Sequence, residues 1–597
     1  MTSKATIVFA REASILDLHL ARLAEFFGIE CRMVRIDGAG NLGKFLSHWE
    51  NPPCIMTSAR SLAVLFQEDA ISPNIAAHLF ERVPFVFVYG ITPGAQETYA
   101  VRHLTDRVIS SVVSFDRSEH FYQVGTTERD ITNEFSGLAF GPIDQDIDFG
   151  LVLDQPQTRF STFVSINNLP FFAALKKQTS CIFFLACRDI ADLESQTNGS
   201  LSAHKYFSRI IPALMFLRHV FQEQIWHNPS PCANFIIDDP LLRKSYGFLN
   251  YSRLSEEMDR VEFTTTIAFI PWNYRRTRAS TARLIKERSD RFSICVHGCD
   301  HTAGEFATTE VKQLNTQTHL ATQRMRAHEQ RTGVPYTEVM VFPQGRFSTT
   351  SLGLLKSHNY LAAVNSTVIP EDLGEEHSLT VADLLVPAIS KYSGFPLFMR
   401  RYPREVADFA LDLFLGKPVL LVEHHNYFKN GYDIIREFIT QINALSKKLQ
   451  WTTLGELLNN TYLQKKLSQD TFECKIFTNR QVIHNPEPIE RQYIITKYED
   501  NEIPIKRVSV DGRQYPYTIE DNHFRLYIDL PPKSAIEVTI GYSNAHYQLA
   551  REAQSLRRNV KVYLRRYLSE FRDNYLCRYD RLLLLVDRMK NRHFFKL

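Results

Sequence analysis

Long hydrophobic runs are missing from this chain of 597 residues. Its apolar stretches, such as Phe85 to Ile91, Cys181 to Cys187 and Leu582 to Val586, fall well short of the roughly 20 residues that a membrane-spanning helix needs. A Gly-x-Gly-x-x-Gly fingerprint is also absent, so a dinucleotide site is not supported and no organic cofactor is expected. Neither sign of charge dominates: 69 Lys and Arg against 66 Asp and Glu leave a net charge of +3, which singles out no partner, and no nucleic-acid motif accompanies the basic residues. The nine cysteines are odd in number, lack framework spacing and contain no Cys-x-x-Cys, which argues for reduced thiols in a cytosolic setting. The opening Met1 to Glu12 carries an apolar run too short for a signal peptide, and a cytoplasmic location is expected.

The composition, 44% hydrophobic and 23% charged, is that of a soluble globular protein, and the length implies two to four domains. Residues 1–203 read as an accessory α/β domain resembling flavodoxin-like or amidotransferase-like folds. Short strands such as Ile7 to Phe9 alternate with amphipathic helices up to about residue 100, and Thr- and Phe-rich strands follow, ending in Ile182 to Leu185. Cys181 and Cys187 are read there as inert strand cysteines rather than nucleophiles. Residues 204–231 read as a connecting amphipathic helix, with Ile210, Leu214, Leu217 and Phe221 on its apolar side, punctuated by Asn228-Pro229-Ser230-Pro231.

Over 232–465 strand and helix alternate about seven times, which implies a parallel sheet and a distorted (β/α)7 barrel. In the expected helix over 308–331, Thr308 or Thr309 is the candidate N-cap, and His319 and His328 are expected to be solvated. Residues 470–543 alternate strands and turns and read as a small antiparallel β-sandwich, with Tyr515 and Tyr517 as candidate glycan contacts. The tail, 546–597, reads as helical and basic, with thirteen Lys or Arg against five Asp or Glu. Its functional reading is docking to an anionic membrane surface, nucleic acid or an acidic partner. The preferred expectation is a solvated helix whose Leu556, Val560, Leu564, Tyr567 and Leu568 stripe packs on the core.

Chemistry concentrates at the ends of the central strands. Phe235-Ile236-Ile237 stops on Asp238-Asp239-Pro240, and Ser293 to Val296 leads into His297-Gly298-Cys299-Asp300-His301. Glu338 to Phe342 leads into Pro343-Gln344-Gly345-Arg346, and Pro418 to Val422 leads into Glu423-His424-His425. Carboxylate and imidazole are the donors that Zn²⁺ or a similar ion takes. The four-residue spacing of His297 and His301 lets both rings reach one ion if the chain turns helical there. In a parallel barrel the C-terminal strand ends gather at one mouth, so four strands deliver reactive groups to the same place.

In these motifs and their order, residues 230–460 resemble the polysaccharide deacetylases of the NodB-homology type. The resemblance implies Asp238 as general base, Asp239, His297 and His301 as ligands of a divalent metal, most simply Zn²⁺, and Pro343 to Gly345 as a turn shaping the oxyanion site near Gln344. It implies His424 as general acid, with His425 as the competitor. The family's Arg two residues before the Pro is replaced by Val341, for which Arg346 is the candidate substitute, and no Asp-Trp motif is found. Asn365, Arg400 and Arg401 lie where a replacement would come from. The expected activity is metal-dependent hydrolysis of an N-acyl group from an amino sugar or polysaccharide. The alternatives are a glycan-binding scaffold without turnover, or an amidohydrolase acting on a small non-sugar amide. A carbohydrate or other N-acylated substrate is thus the expected partner, with the oligomeric state left open.

Overall fold

The computed structural model describes residues 4–36, 52–67, 83–155, 158–374, 379–500, 502–543 and 556–578. The N-terminal region is built on one nine-stranded sheet. Cys31–Arg35, Ala5–Phe9, Cys54–Ser58, Phe85–Tyr89 and Cys181–Leu185 run parallel; Leu169–Lys176, Phe160–Ile166, Tyr122–Val124 and Ala139–Phe140 continue it antiparallel. The Thr- and Phe-rich strands after residue 100 thus mostly extend the same sheet in antiparallel fashion, while Ile109–Ser114 and Phe149–Leu153 pair with each other in a separate two-stranded sheet. Burial pushes the thiols of Cys181 and Cys187 up, the first to about 11, which leaves both unreactive as thiolates.

The Ala203–Phe221 helix was expected to expose one face, but nearly every side is covered. Phe207 packs on Tyr122, Phe135 and Phe140, while Phe216 packs on Phe87 and Phe183. From the other domain, Asp408 accepts from the Ala203 N–H at 2.7 Å, and Arg218 sits 3.9 Å over the Phe414 ring. A helix that is apolar almost all round belongs inside a core. Here it lies between two sheets and joins them into one hydrophobic cluster, so it serves as shared core rather than as a linker.

In the central region seven successive neighbours run parallel, Val419–His424, Cys232–Asp238, Thr265–Phe269, Phe292–His297, Thr337–Val341, Ala362–Asn365 and Leu397–Met399, and the short Gln450–Trp451 also pairs parallel with the start of Cys232–Asp238. Two residues past Leu397–Met399, Arg401 accepts from Val422 N at 2.9 Å and donates to Leu420 O at 2.8 Å, which joins the two outer strands of the seven. The strands thus close into a ring. All their C-terminal ends face the same way, as parallel pairing requires. The helix at Val311–Thr332 is capped by Glu310, whose N–H donates to Thr308 Oγ1 at 3.1 Å, so neither threonine is the N-cap itself. His328 on this helix is fully buried, contrary to the expected solvation. Its Nε2 lies 2.9 Å from Thr277 Oγ1 and its ring against Phe269.

The next module starts earlier than residue 470, at Tyr462, and consists of a five-stranded and a four-stranded sheet. One pair in it, Thr471–Ile476 with Arg491–Tyr498, is parallel rather than antiparallel. It is fixed to the central region by buried Lys356, whose Nζ lies 3.0 Å from both Glu499 and Asp500. Tyr515 donates to Tyr527 O at 3.1 Å and Tyr517 lies exposed against Phe524. Among the described residues no helix is long and apolar enough to cross a membrane.

Candidate metal centre and catalytic site

Parallel pairing sets Asp238 opposite His424 across neighbouring strands, so their side chains leave the same face of the sheet. The chain then turns sharply: Asp239 adopts φ +78°, a left-handed conformation that a short acidic side chain tolerates better than most. That turn swings the Asp239 carboxylate toward His297 and His301. Its Oδ1 lies 3.1 Å from His297 Nε2 and 2.9 Å from His301 Nε2. Burial works to raise the Asp239 carboxyl, but the two imidazoles outweigh it and hold it well below the usual carboxylate range.

The donor set passes a direct test of fit to a divalent cation. His297 Nδ1 is 3.0 Å from Val341 O; a carbonyl only accepts, so Nδ1 carries a proton and Nε2 is the ring nitrogen turned to Asp239 and left for an ion. The buried Asp239 Oδ1 makes no well-aligned hydrogen bond, although three ligand atoms of Asp239, His297 and His301 lie within 4.8 Å of one another. One carboxylate oxygen and two imidazole nitrogens turned to one point are donor types that a divalent ion takes.

The two histidines reach this point by a loop and not by the helical turn anticipated. Glu305 organises that loop. Its carboxylate accepts from the backbone N–H groups of Cys299 (2.8 Å), Asp300 (3.1 Å), His301 (3.1 Å) and Thr302 (3.3 Å). Gly298, at φ +60°, passes so close that a Cβ there would stand 2.2 Å from Glu305 Oε1. Asp300 turns away to pair with Arg324 at 2.6 Å. Nothing in the motif itself marks Glu305; its only sequence signal is a carboxylate following a His-x-x-x-His loop within a few residues.

Arg346 does not hold Asp238. It forms a two-pronged pair with Glu371, with one contact of 2.8 Å, on the exposed side of the Pro343–Gly345 turn. The guanidinium on Asp238 belongs to Arg400, at 2.7 and 2.6 Å, with both partners buried. Burial alone would raise the Asp238 carboxyl; Arg400, with help from His297 and His424, brings it below its usual value. Arg401 binds Asp412 at 2.6 Å and Leu201 O at 2.5 Å instead. Asn365 donates to Gly345 O at 2.9 Å and so braces the Pro343–Gly345 turn, in which Gln344 adopts φ +60° with its side chain exposed.

His424, Asp239, His425 and Asn426 line a cavity of about 110 Å³ together with Arg572, Asp573 and Cys577, which come from the C-terminal helical segment. His425 is buried between Tyr246 and Phe248, with Nε2 3.6 Å from Asp573 Oδ1. Asp573 also accepts from Tyr246 Oη at 2.7 Å and from Arg572 Nε at 2.7 Å. Its carboxyl would be raised by burial, but His425 and Arg572 draw it down to about 2. Beside His424, burial pushes the Glu423 carboxyl up to about 7. No feature of the sequence placed the last helix over this cavity.

No family model matches the chain, and no curated protein does. Among solved structures it is similar to Agd3, described as a novel carbohydrate deacetylase, at 8% identity and a TM-score of 0.47, over 90% of this chain and 98% of that one. A family 4 carbohydrate esterase from Streptomyces lividans, solved with acetate, is similar at 11% identity and a TM-score of 0.23, over 38% of this chain and 93% of its own. The Xyl-CE4 domain of a multidomain xylanase from the hindgut metagenome of Trinervitermes trinervoides is similar at 14% identity and a TM-score of 0.24, over 39% of this chain and 90% of its own. These likenesses are distant, and the chemistry of the site is read from its own side chains.

Proposed function

We propose that the protein is a metal-dependent hydrolase that removes an N-acyl group, most simply acetyl, from an amino sugar or polysaccharide. The observation that carries this reading is the convergence of Asp239, His297 and His301 beside an Asp238 carboxylate clamped by Arg400. Asp239, His297 and His301 would hold a divalent ion, most simply Zn²⁺, which polarises an acyl oxygen and makes water more acidic when bound.

Asp238, kept ionised by Arg400, accepts the proton of the attacking water as general base. His424, on the strand next to Asp238 and at the cavity wall, donates a proton to the departing nitrogen. Without that proton the tetrahedral adduct expels water rather than amine. His425 is the alternative donor, oriented by Asp573. The backbone N–H groups near Gln344, in the turn braced by Asn365, supply the remaining oxyanion contacts. A second reading, hydrolysis of a small non-sugar amide, draws support from the small size of the cavity beside His424, about 110 Å³.

The test combines metal content and product. Purified protein should carry near-stoichiometric divalent metal that an Asp239→Ala, His297→Ala double variant loses, and it should release acetate from an N-acetylated sugar while Asp238→Asn does not. Protein free of metal even after reconstitution would sink the hydrolase. Metal without acetate release from any sugar, but with turnover of small amides, would select the second reading.

A further inference from the structure

The Leu556–Asn574 helix is inside out for a helix that caps a protein. Its inward face is largely polar beside buried Val562: Asp573 meets Tyr246 and His425, the Asn574 side-chain oxygen accepts from Gly247 N at 3.0 Å, and Glu570 pairs with Arg276 and, at 2.9 Å, with Arg243. The outward face is apolar. Val560, Leu564, Leu568 and Phe571 stand 53, 58, 61 and 52% exposed, and Tyr575, one step past the helix end, stands 63% exposed. Of the stripe expected to pack on the core, Val560, Leu564, Tyr567 and Leu568 are therefore turned to the outside, and the Leu556 side chain lies outside the described residues.

The spacing of these residues is that of one helical face, and at about 100° per residue they fall in an arc roughly 80° wide, extended by Tyr567 and Tyr563 on one side. Those two rings meet the edge of Trp272 at 6.1 and 5.7 Å. On the other side of the arc, exposed Lys561 and half-buried Arg565 form a basic border. The acidic residue nearest the tyrosine side, Glu570, is already neutralised by its two arginines.

We infer that this face docks onto an anionic lipid surface. An apolar stripe with aromatic rings on one flank and Lys and Arg on the other has the composition of a helix that lies in a membrane interface. Charge disfavours the other occupants. A second copy would bring the same basic border, and residues 579–597 carry five Lys or Arg (Arg581, Arg588, Lys590, Arg592, Lys596) against Asp580 and Asp587. The opposite face of the helix lines the cavity through Arg572 and Asp573, so the docked helix would lie between the cavity and the lipid surface. The inference does not depend on the hydrolase reading; it stands on the helix surface alone.

Vesicle flotation of the full chain tests it, with vesicles of pure phosphatidylcholine or of phosphatidylcholine with 30% phosphatidylserine, at low and high salt. The expected result is binding to the anionic vesicles at least tenfold tighter than to the neutral ones, weakened by salt. A Leu564→Glu, Leu568→Glu variant should lose at least tenfold in affinity with its thermal unfolding unchanged, since both side chains are solvent-exposed, and Lys561→Glu should weaken binding less. Absence of binding at low salt overturns the inference, as does binding that the double variant leaves intact. If the wild type instead forms a dimer that the double variant dissociates, the face is an interface between copies and the lipid assignment fails.

Discussion

Arg400 places its two terminal nitrogens 2.7 and 2.6 Å from the two carboxylate oxygens of Asp238, and the pair is buried on all sides. Bidentate geometry fixes the carboxylate plane as well as its charge. Replacing Arg400 by Met should lower kcat/KM about 100-fold by leaving the base misoriented and more easily protonated. It should also cost roughly 3 kcal/mol of stability, because a buried carboxylate is left unpaired. With the guanidinium gone, burial is free to raise the Asp238 carboxyl, so the acidic limb of the pH–rate profile should move to higher pH. Arg346→Ala should change kcat/KM by less than about threefold, since its exposed pair with Glu371 is worth little. Equal effects of the two substitutions would contradict the assignment.

Glu305 gathers four successive backbone N–H groups of the His297–His301 loop. Glu305→Gln keeps the size but loses the charge and one acceptor oxygen. Affinity for a divalent metal should fall about 10 to 100-fold, as it does when groups supporting a ligand set are removed. Chelator competition measures this directly, and an unchanged affinity would mean that the loop holds itself.

Gly247, at φ +56°, packs so closely on His425 that a Cβ would stand 2.2 Å from Nδ1. Gly247→Ala should therefore displace the imidazole from Asp573 and cost about 1 to 3 kcal/mol by overpacking, beyond the backbone strain. Gly512→Ala separates the two contributions, because Gly512 has φ +77° and a Cβ added there would meet nothing within 4 Å, so only strain is added. Thermal unfolding of both variants gives the comparison. Similar losses would show that His425 yields freely.

His328 supplies a pH test remote from the site. Burial, with Arg331 nearby, lowers its imidazole to about 4 from an ordinary 6.5. The unfolded chain binds a proton between these values and the folded protein does not. Stability is thus fully present above about 6.5 and is lost as the pH falls through 4, by about 3 kcal/mol in all. Urea unfolding at pH 7 and pH 4.5 should show most of this loss in the wild type and a smaller one in His328→Gln. An equal pH dependence in both proteins would place the titration elsewhere.

Much of this protein was legible in local pattern. The alternation of short apolar strands and amphipathic helices from 232 onward predicted a helix over 308–331, which the structure gives as Val311–Thr332. Such elements are set by side chains a few residues apart, which the sequence displays directly. Asp238, Asp239, His297, His301 and His424 stood out for the same reason, each ending an apolar strand whose direction parallel pairing dictates.

The partners of those residues were decided by tertiary structure. Arg400 is 162 residues from Asp238, and Asp573 lies far beyond His425; only closure of the strand ring and the return of the last helix bring them together. His328 looked solvated because a helix of mixed polarity does not reveal which neighbours will cover it. The stripe from Val560 to Phe571 looked like core because helical periodicity marks an apolar face but not the direction in which it points. Periodicity is a property of the local chain. Which face is covered depends on ion pairs made across hundreds of residues, here those of Glu570 and Asp573, and these exist only once the chain has folded.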